Sequence, residues 1–211
     1  MQYRCFAYRQ IVFAVVIASS HVCLGRAGPF EDAASAYDRG DTPAALQLWT
    51  SLANSGDAAA QIAVGGLYAD GNGVKQSYAD AMTWFRRAAD QGNARAQFNV
   101  GTLYFSGQGV EQSYPQALGW FERAAAQDYA DAQFKLAVMY AEGRGVPKND
   151  VAAVKWYRLA AEKGHAGAQY DLALHYAKGR GAARNDKEAA KWVALAAKQG
   201  HVLAQYNLGI L

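Results

Sequence analysis

The sequence has almost no cysteine. Its 211 residues include two, Cys5 and Cys23, and both lie within the first 27 residues. If that segment is removed from the mature protein, neither a disulfide nor a thiolate metal site can form. Stability must then come from packing, and a chain of this length can bury a sufficient core.

Clustered charge is also lacking. The formal net charge is +3, and Arg4, Arg9 and Arg26 account for all of it, because the remaining residues hold 18 basic and 18 acidic side chains. Nucleic-acid binding normally requires a concentrated basic surface that neutralises phosphates. We therefore expect no nucleic-acid partner.

No apolar run reaches the roughly 20 residues that span a bilayer. The run from Ile11 to Ala18 instead follows two arginines and precedes small residues, which predicts an export signal over residues 1–27. Cleavage could follow Cys23-Leu24-Gly25 or Gly25-Arg26-Ala27. The alternative is an uncleaved anchor. We expect a periplasmic or secreted protein that meets the membrane only through this signal.

The motifs of common catalytic and metal sites are missing. The sequence contains no Ser-x-x-Lys or Lys-Thr-Gly element, and its glycine pairs lack the Lys-Ser/Thr that follows a phosphate-binding loop. His165 and His201 are predicted to be solvated turn residues, and His175 a partly buried residue with a local hydrogen bond. Because these histidines do not cluster, we expect no metal, no cofactor and no enzymatic activity.

What the sequence does contain is a repeat of 36 residues. Glutamine recurs at this interval, and so does tryptophan. Four full units are predicted at residues 58–93, 94–129, 130–165 and 166–201, after a divergent helical hairpin at 30–57 and before an incomplete unit at 202–211. The repeated positions are Gln61, Gln97, Gln133, Gln169, Gln205, Trp84, Trp120, Trp156 and Trp192.

Each unit is predicted to be a pair of helices. Apolar and small residues recur at helical spacing, and a pair of glycines in each unit predicts where the first helix stops. The second helix is expected to begin at a capping residue, Ser77, Ser113, Asn149 or Asn185. Since one hairpin cannot bury its own apolar stripe, the units must stack into an all-α solenoid.

The pattern "A-x-A-Q-x-x-L-G-x-x-Y-x-x-G-x-G-V … A-x-x-W-[FY]-x-x-A-A-x-x-G" resembles the Sel1-like repeat, a longer relative of the tetratricopeptide repeat, over residues 58–211. The resemblance implies a right-handed α-solenoid of antiparallel helix hairpins. It also implies a role as an adaptor, as a regulator of envelope signalling or as part of an envelope assembly complex. In related arrays, one side of each first helix lines a concave groove.

Applied to this sequence, that geometry predicts a partner-binding groove with an aromatic row, an apolar row and a polar row. Recurrent rings at positions where a solvated face would carry charges favour a binding surface, although they could also pack against the next hairpin. The predicted groove residues are Phe98, Phe134, Tyr170 and Tyr206, then Thr102, Val138 and Leu174, then Asn99, Lys135 and Asp171.

Two functions are consistent with such a groove. The first is a non-catalytic scaffold that binds a protein partner in the bacterial envelope, and the alternative is a protein that stacks envelope polysaccharide on the aromatic row. The apolar segment "VLAQYNLGIL" at the end of the sequence leaves three interpretations open. It caps the array, it belongs to a truncated chain, or it is completed by self-association or by a partner.

Overall fold

The computed structural model describes residues 28–208, so the predicted export signal lies outside the described residues. The described chain is almost entirely α-helical, with no strand, and the predicted all-α repeat fold is confirmed. None of its helices is long and apolar enough to cross a bilayer. The helices are α1 (Pro29–Asp38), α2 (Thr42–Asn54), α3 (Ala58–Asp70), α4 (Tyr78–Asp90), α5 (Ala94–Ser106), α6 (Tyr114–Ala125), α7 (Ala130–Glu142), α8 (Asp150–Glu162), α9 (Ala166–Lys178), α10 (Asp186–Lys198) and α11 (Val202–Leu208).

The second helix of each full repeat begins where the sequence predicts. A side-chain oxygen of the capping residue accepts a hydrogen bond from the backbone N–H three residues later, which satisfies one of the free donors of the first turn. First helices end in the opposite way, at a left-handed glycine such as Gly143, whose φ is 75°. The four confirmed caps are Ser77, Ser113, Asn149 and Asn185.

The repeated glutamines join consecutive hairpins. In each case the side-chain Nε2 donates to a backbone carbonyl near the C-terminal end of the preceding second helix. For Gln61 the acceptor is the Ala53 carbonyl, at 3.0 Å. The same bond recurs in every unit, and all but the last glutamine are buried. The remaining pairs are Gln97 with Ala89, Gln133 with Ala125, Gln169 with Ala161, and Gln205 with Ala197.

A second hydrogen bond extends this link in two of the units. Gln91 Nε2 donates to Gln61 Oε1 at 2.9 Å, and Gln199 Nε2 donates to Gln169 Oε1 at 2.7 Å. Lys163 holds the equivalent position for Gln133 and instead forms an ion pair with Asp128. Among the described residues, the buried Gln133 Oε1 has no hydrogen-bond partner. The link is therefore weaker at this one repeat.

The chain divides into two compact units. The first extends to Leu103 and includes residues 108–111, and it has a core built around Trp49, Ala60 and Val64. The second comprises residues 104–107 and those from 112 onward, and its core is built around Tyr157, Leu172 and Trp192. Alanine occupies many of the fully buried positions in both cores, which lets neighbouring helices approach closely.

Gly65 shows how close that approach is. A Cβ atom at this position of α3 would lie 2.7 Å from the Phe85 ring of α4, and Phe85 is 1% exposed. Real Cβ atoms do not come so near a ring, so glycine is required by the packing of the hairpin. The sequence predicted this pairing of a small residue with a large one.

We predict that Gly65→Ala destabilises the protein by about 1–3 kcal/mol, because the added methyl group forces Phe85 out of a well-packed position. Gly119→Ala is the matched control, since a Cβ there would meet no atom within 4 Å. In the middle of α6 it should stabilise by up to about 1 kcal/mol through helix propensity. Urea unfolding measures both, and equal stabilisation by the two alanines would contradict the packing argument.

Candidate functional site

The predicted groove residues of the second unit form one continuous surface on its first helices. Asn207 Nδ2 of α11 donates to the Tyr170 hydroxyl of α9 at 3.0 Å, and the Phe134 ring of α7 approaches Gly167 of α9. We call this surface the first-helix face. It comprises Phe134, Lys135 and Val138 of α7, Tyr170, Asp171 and Leu174 of α9, and Tyr206 of α11.

Apolar side chains on this face retain different amounts of exposure. Tyr206 is 68% exposed, whereas Phe134 and Tyr170 are half-buried. Val138 and Leu174 are half-buried as well. A partner could therefore contact all five, but Tyr206 offers the largest free area.

Histidines from the next hairpin cover one side of the two half-buried rings. His165 stacks on Phe134 with ring centroids 4.4 Å apart and an interplanar angle of 25°. His201 stacks on Tyr170 in the same way, at 4.7 Å and 28°. Each pair is separated by 31 residues in the sequence. These stacked pairs fix the orientation of the aromatic row.

The same histidines cap the helices that follow them. His165 Nδ1 accepts from the Ala168 backbone N–H at 3.0 Å, and His201 Nδ1 accepts from that of Ala204 at 3.3 Å. The prediction that both are solvated turn residues is wrong, because each ring lies half-buried between an aromatic neighbour and a helix N-terminus. An Nδ1 atom that accepts a hydrogen bond must be unprotonated.

Burial lowers the pKa of both histidines. For His165 the Asp131 carboxylate opposes this effect, with His165 Nε2 and Asp131 Oδ1 3.5 Å apart, while Lys135 and His201 reinforce it. For His201 burial is the cause. The neutral imidazole is therefore the form that the folded protein favours, in agreement with the capping geometry.

Lys135 is the basic residue of the first-helix face. Its Nζ lies 5.8 Å from the centroid of the Phe105 ring, a cation–π contact. Burial lowers the pKa of its ammonium group, an effect partly offset by Asp131. Arg144, which forms an ion pair with Glu142, lies on the same ring at 5.5 Å.

Asp171 is the acidic residue of this face. Burial, reinforced by the neighbouring Glu142 carboxylate, raises the pKa of Asp171 to about 6. The negative charge of Asp171 also contributes to the raised pKa of the Tyr157 phenol, for which burial is the main cause. The site is thus strongly desolvated for an ionised group.

In the first unit, the structure places the predicted groove residues differently. Phe98 and Thr102 are half-buried on α5, and the Thr102 hydroxyl donates to the Phe98 carbonyl at 3.0 Å. Asn99 is 4% exposed, and its Nδ2 has no hydrogen-bond partner among the described residues. The assignment of Asn99 to a partner-accessible row is wrong, because its side chain lies in the packed interior.

His175 behaves as predicted. It is 9% exposed, and its Nδ1 lies 3.0 Å from the Arg180 carbonyl oxygen. Its ring also contacts that of Tyr157 at 5.3 Å. Within the described part of the chain, no group of three or more His, Cys, Asp or Glu side chains is arranged to hold a metal ion.

Comparison with known proteins identifies the repeat. A Sel1 repeat family model matches residues 58–93, 94–129, 130–165 and 166–201. No curated protein matches the chain significantly.

Solved structures of two Sel1-type proteins are similar to this chain. A Sel1 repeat protein from Oxalobacter formigenes has 33% identity and a TM-score of 0.77, covering 85% of this chain and 72% of its own. A protective antigen of uropathogenic Escherichia coli with an SLR fold has 33% identity and a TM-score of 0.79. That match covers 86% of this chain and 40% of the antigen, so the chain spans less than half of that relative.

We predict that the wild-type protein loses stability below pH 6.5, and that His165→Asn loses less. Since burial lowers the folded-state pKa of His165, the unfolded chain binds more protons below the ordinary value of 6.5, and acid therefore favours unfolding. Asn93 shows that asparagine can supply the same cap without titrating, because its Oδ1 accepts from the Ala96 backbone N–H at 3.1 Å.

Urea unfolding of both proteins from pH 8 to pH 5 measures this effect. The variant should be less stable at pH 8, by about 1 kcal/mol, because the stacking on Phe134 is lost. The difference should shrink as the pH falls. Comparing the two proteins at each pH cancels the titration of Asp171, and parallel pH profiles would show that His165 does not titrate as described.

Proposed function

Because the chain belongs to the Sel1 repeat family, whose members are generally protein-interaction scaffolds, we propose that it is a non-catalytic scaffold of the bacterial cell envelope that binds a protein partner on the first-helix face. The observation that carries this proposal is the run of partly exposed apolar side chains on α7, α9 and α11. Such surfaces usually mark sites of protein–protein contact.

The distribution of charge supports the choice of this face. Second helices carry exposed charged residues, among them Glu122 of α6, Arg158 of α8 and Lys191 of α10. The first-helix face has instead aromatic and aliphatic side chains with two desolvated charges, Lys135 and Asp171. Interface centres are typically apolar and aromatic with few charged groups, whereas fully solvated surfaces are rich in them.

The envelope location is supported by the sequence of the first 27 residues. Their arginines, apolar run and small residues have the pattern of a cleavable export signal. The absence of cysteine after Cys23 means that the exported chain would need no disulfide in order to fold there.

The variant that tests the proposal is Leu174→Lys combined with Tyr206→Lys, which places two charges on the first-helix face. The matched control is Val151→Lys combined with Leu195→Lys, which adds the same charge to apolar residues of α8 and α10 that are 55% and 39% exposed. Circular dichroism and urea unfolding should first establish that both variants remain folded.

Wild-type protein and both variants are then incubated with a crosslinked envelope extract of the source organism, and retained proteins are identified by mass spectrometry. A partner retained by wild type and the control, but reduced roughly tenfold or more with the first-helix-face variant, is the expected result. Equal retention by all three would place the interaction elsewhere. Retention of purified envelope polysaccharide, with no protein, would favour the alternative of a glycan-binding surface.

A further inference from the structure

Asp171 has a charge that the repeat does not require. The equivalent positions in the other units are Ala63, Asn99, Lys135 and Asn207, so four repeats fold without an acid there. Aspartate at this position is therefore specific to one repeat. It follows Tyr170 directly and lies one helical turn before Leu174 of the same face.

The Asp171 carboxylate has no partner within the described structure. Among residues 28–208, none donates a hydrogen bond to it or forms an ion pair with it. The two cations of the surrounding surface are engaged elsewhere, since Arg144 pairs with Glu142 and both Arg144 and Lys135 lie on the Phe105 ring. The nearby Glu142 carboxylate adds further negative charge.

An ionised carboxylate in this setting opposes folding. Removing a charge from water without a compensating partner is costly, and the neighbouring acid increases that cost. An asparagine of the same size, as found at position 207, would avoid it. A charge kept at a net cost to the fold is typical of a functional site.

We infer that Asp171 receives the guanidinium or ammonium group of an arginine or lysine side chain of the partner polypeptide. This inference rests on the proposed function and states the chemistry that the partner must supply. A cation placed there would complete the missing ion pair in a desolvated setting, where charge-assisted hydrogen bonds are strong. The aliphatic stem of the same side chain would lie along the apolar part of the first-helix face, against Leu174.

A displayed library of short random peptides, selected on the full chain, tests this inference and does not require the partner to be identified. Selections run in parallel on wild type, Asp171→Asn and Asp171→Lys. Asp90→Asn is the control, because it removes one exposed carboxylate of α4 and leaves the first-helix face intact. Thermal melting at pH 7 verifies folding, and Asp171→Asn should melt at a higher temperature than wild type.

We expect peptides selected on wild type to carry arginine or lysine at one preferred position. Their affinity should fall roughly tenfold or more with Asp171→Asn and stay unchanged with Asp90→Asn. Peptides selected on Asp171→Lys should carry aspartate or glutamate at that position. Peptides that bind wild type without a basic preference, or that bind Asp171→Asn equally well, would overturn the inference while leaving protein binding intact. Failure to retain any peptide would instead overturn the proposed function and this inference with it.

Discussion

The hydrogen bond between a buried glutamine and the end of the preceding helix is the constraint on which the repeat depends. A helix leaves its last carbonyl groups without intrahelical partners, and here one of them lies where the next hairpin must pack. Glutamine is long enough to reach it and, as an amide, supplies the required donor. Because each unit ends its second helix in the same way, the same side chain is needed every 36 residues.

This link determines which surfaces are left for function. Once the glutamines and the small residues have brought helices into close contact, the cores are filled largely by alanine with a few large rings. The remaining side chains of α7, α9 and α11 cannot enter the core and form the first-helix face. The rigid scaffold places Tyr206, Leu174 and Asp171 on one surface, and this arrangement favours binding over chemistry.

Local features of the fold could be predicted from the sequence, whereas contacts between repeats could not. Helix caps depend on residues three positions apart, so Ser77 and Asn149 were identifiable from the sequence alone. The histidine–aromatic stacks join residues 31 positions apart on different hairpins, and no local pattern shows them. The recurrence of that spacing, His165 after Phe134 and His201 after Tyr170, was the available signal.

Individual members of a repeated row were also difficult to predict. Periodicity assigns Asn99, Lys135 and Asp171 to the same position, yet Asn99 is buried and lacks a partner for its Nδ2, whereas Lys135 contacts Phe105. These differences depend on which neighbours each repeat supplies. Periodicity therefore locates the candidate surface, and the structure determines how each side chain is used.

The most direct test of the central claim is the free energy of unfolding of Gln61→Glu compared with Gln205→Glu. Both changes preserve shape and replace the amide donor by a carboxylate, but Gln61 is buried and Gln205 is exposed. At pH 7 we predict a loss of about 3 kcal/mol for Gln61→Glu and less than about 1 kcal/mol for Gln205→Glu, each relative to wild type. The larger loss should diminish near pH 4, where a protonated carboxyl group can donate to the Ala53 carbonyl. Equal, small losses at pH 7 would contradict the view that this hydrogen bond holds successive hairpins together.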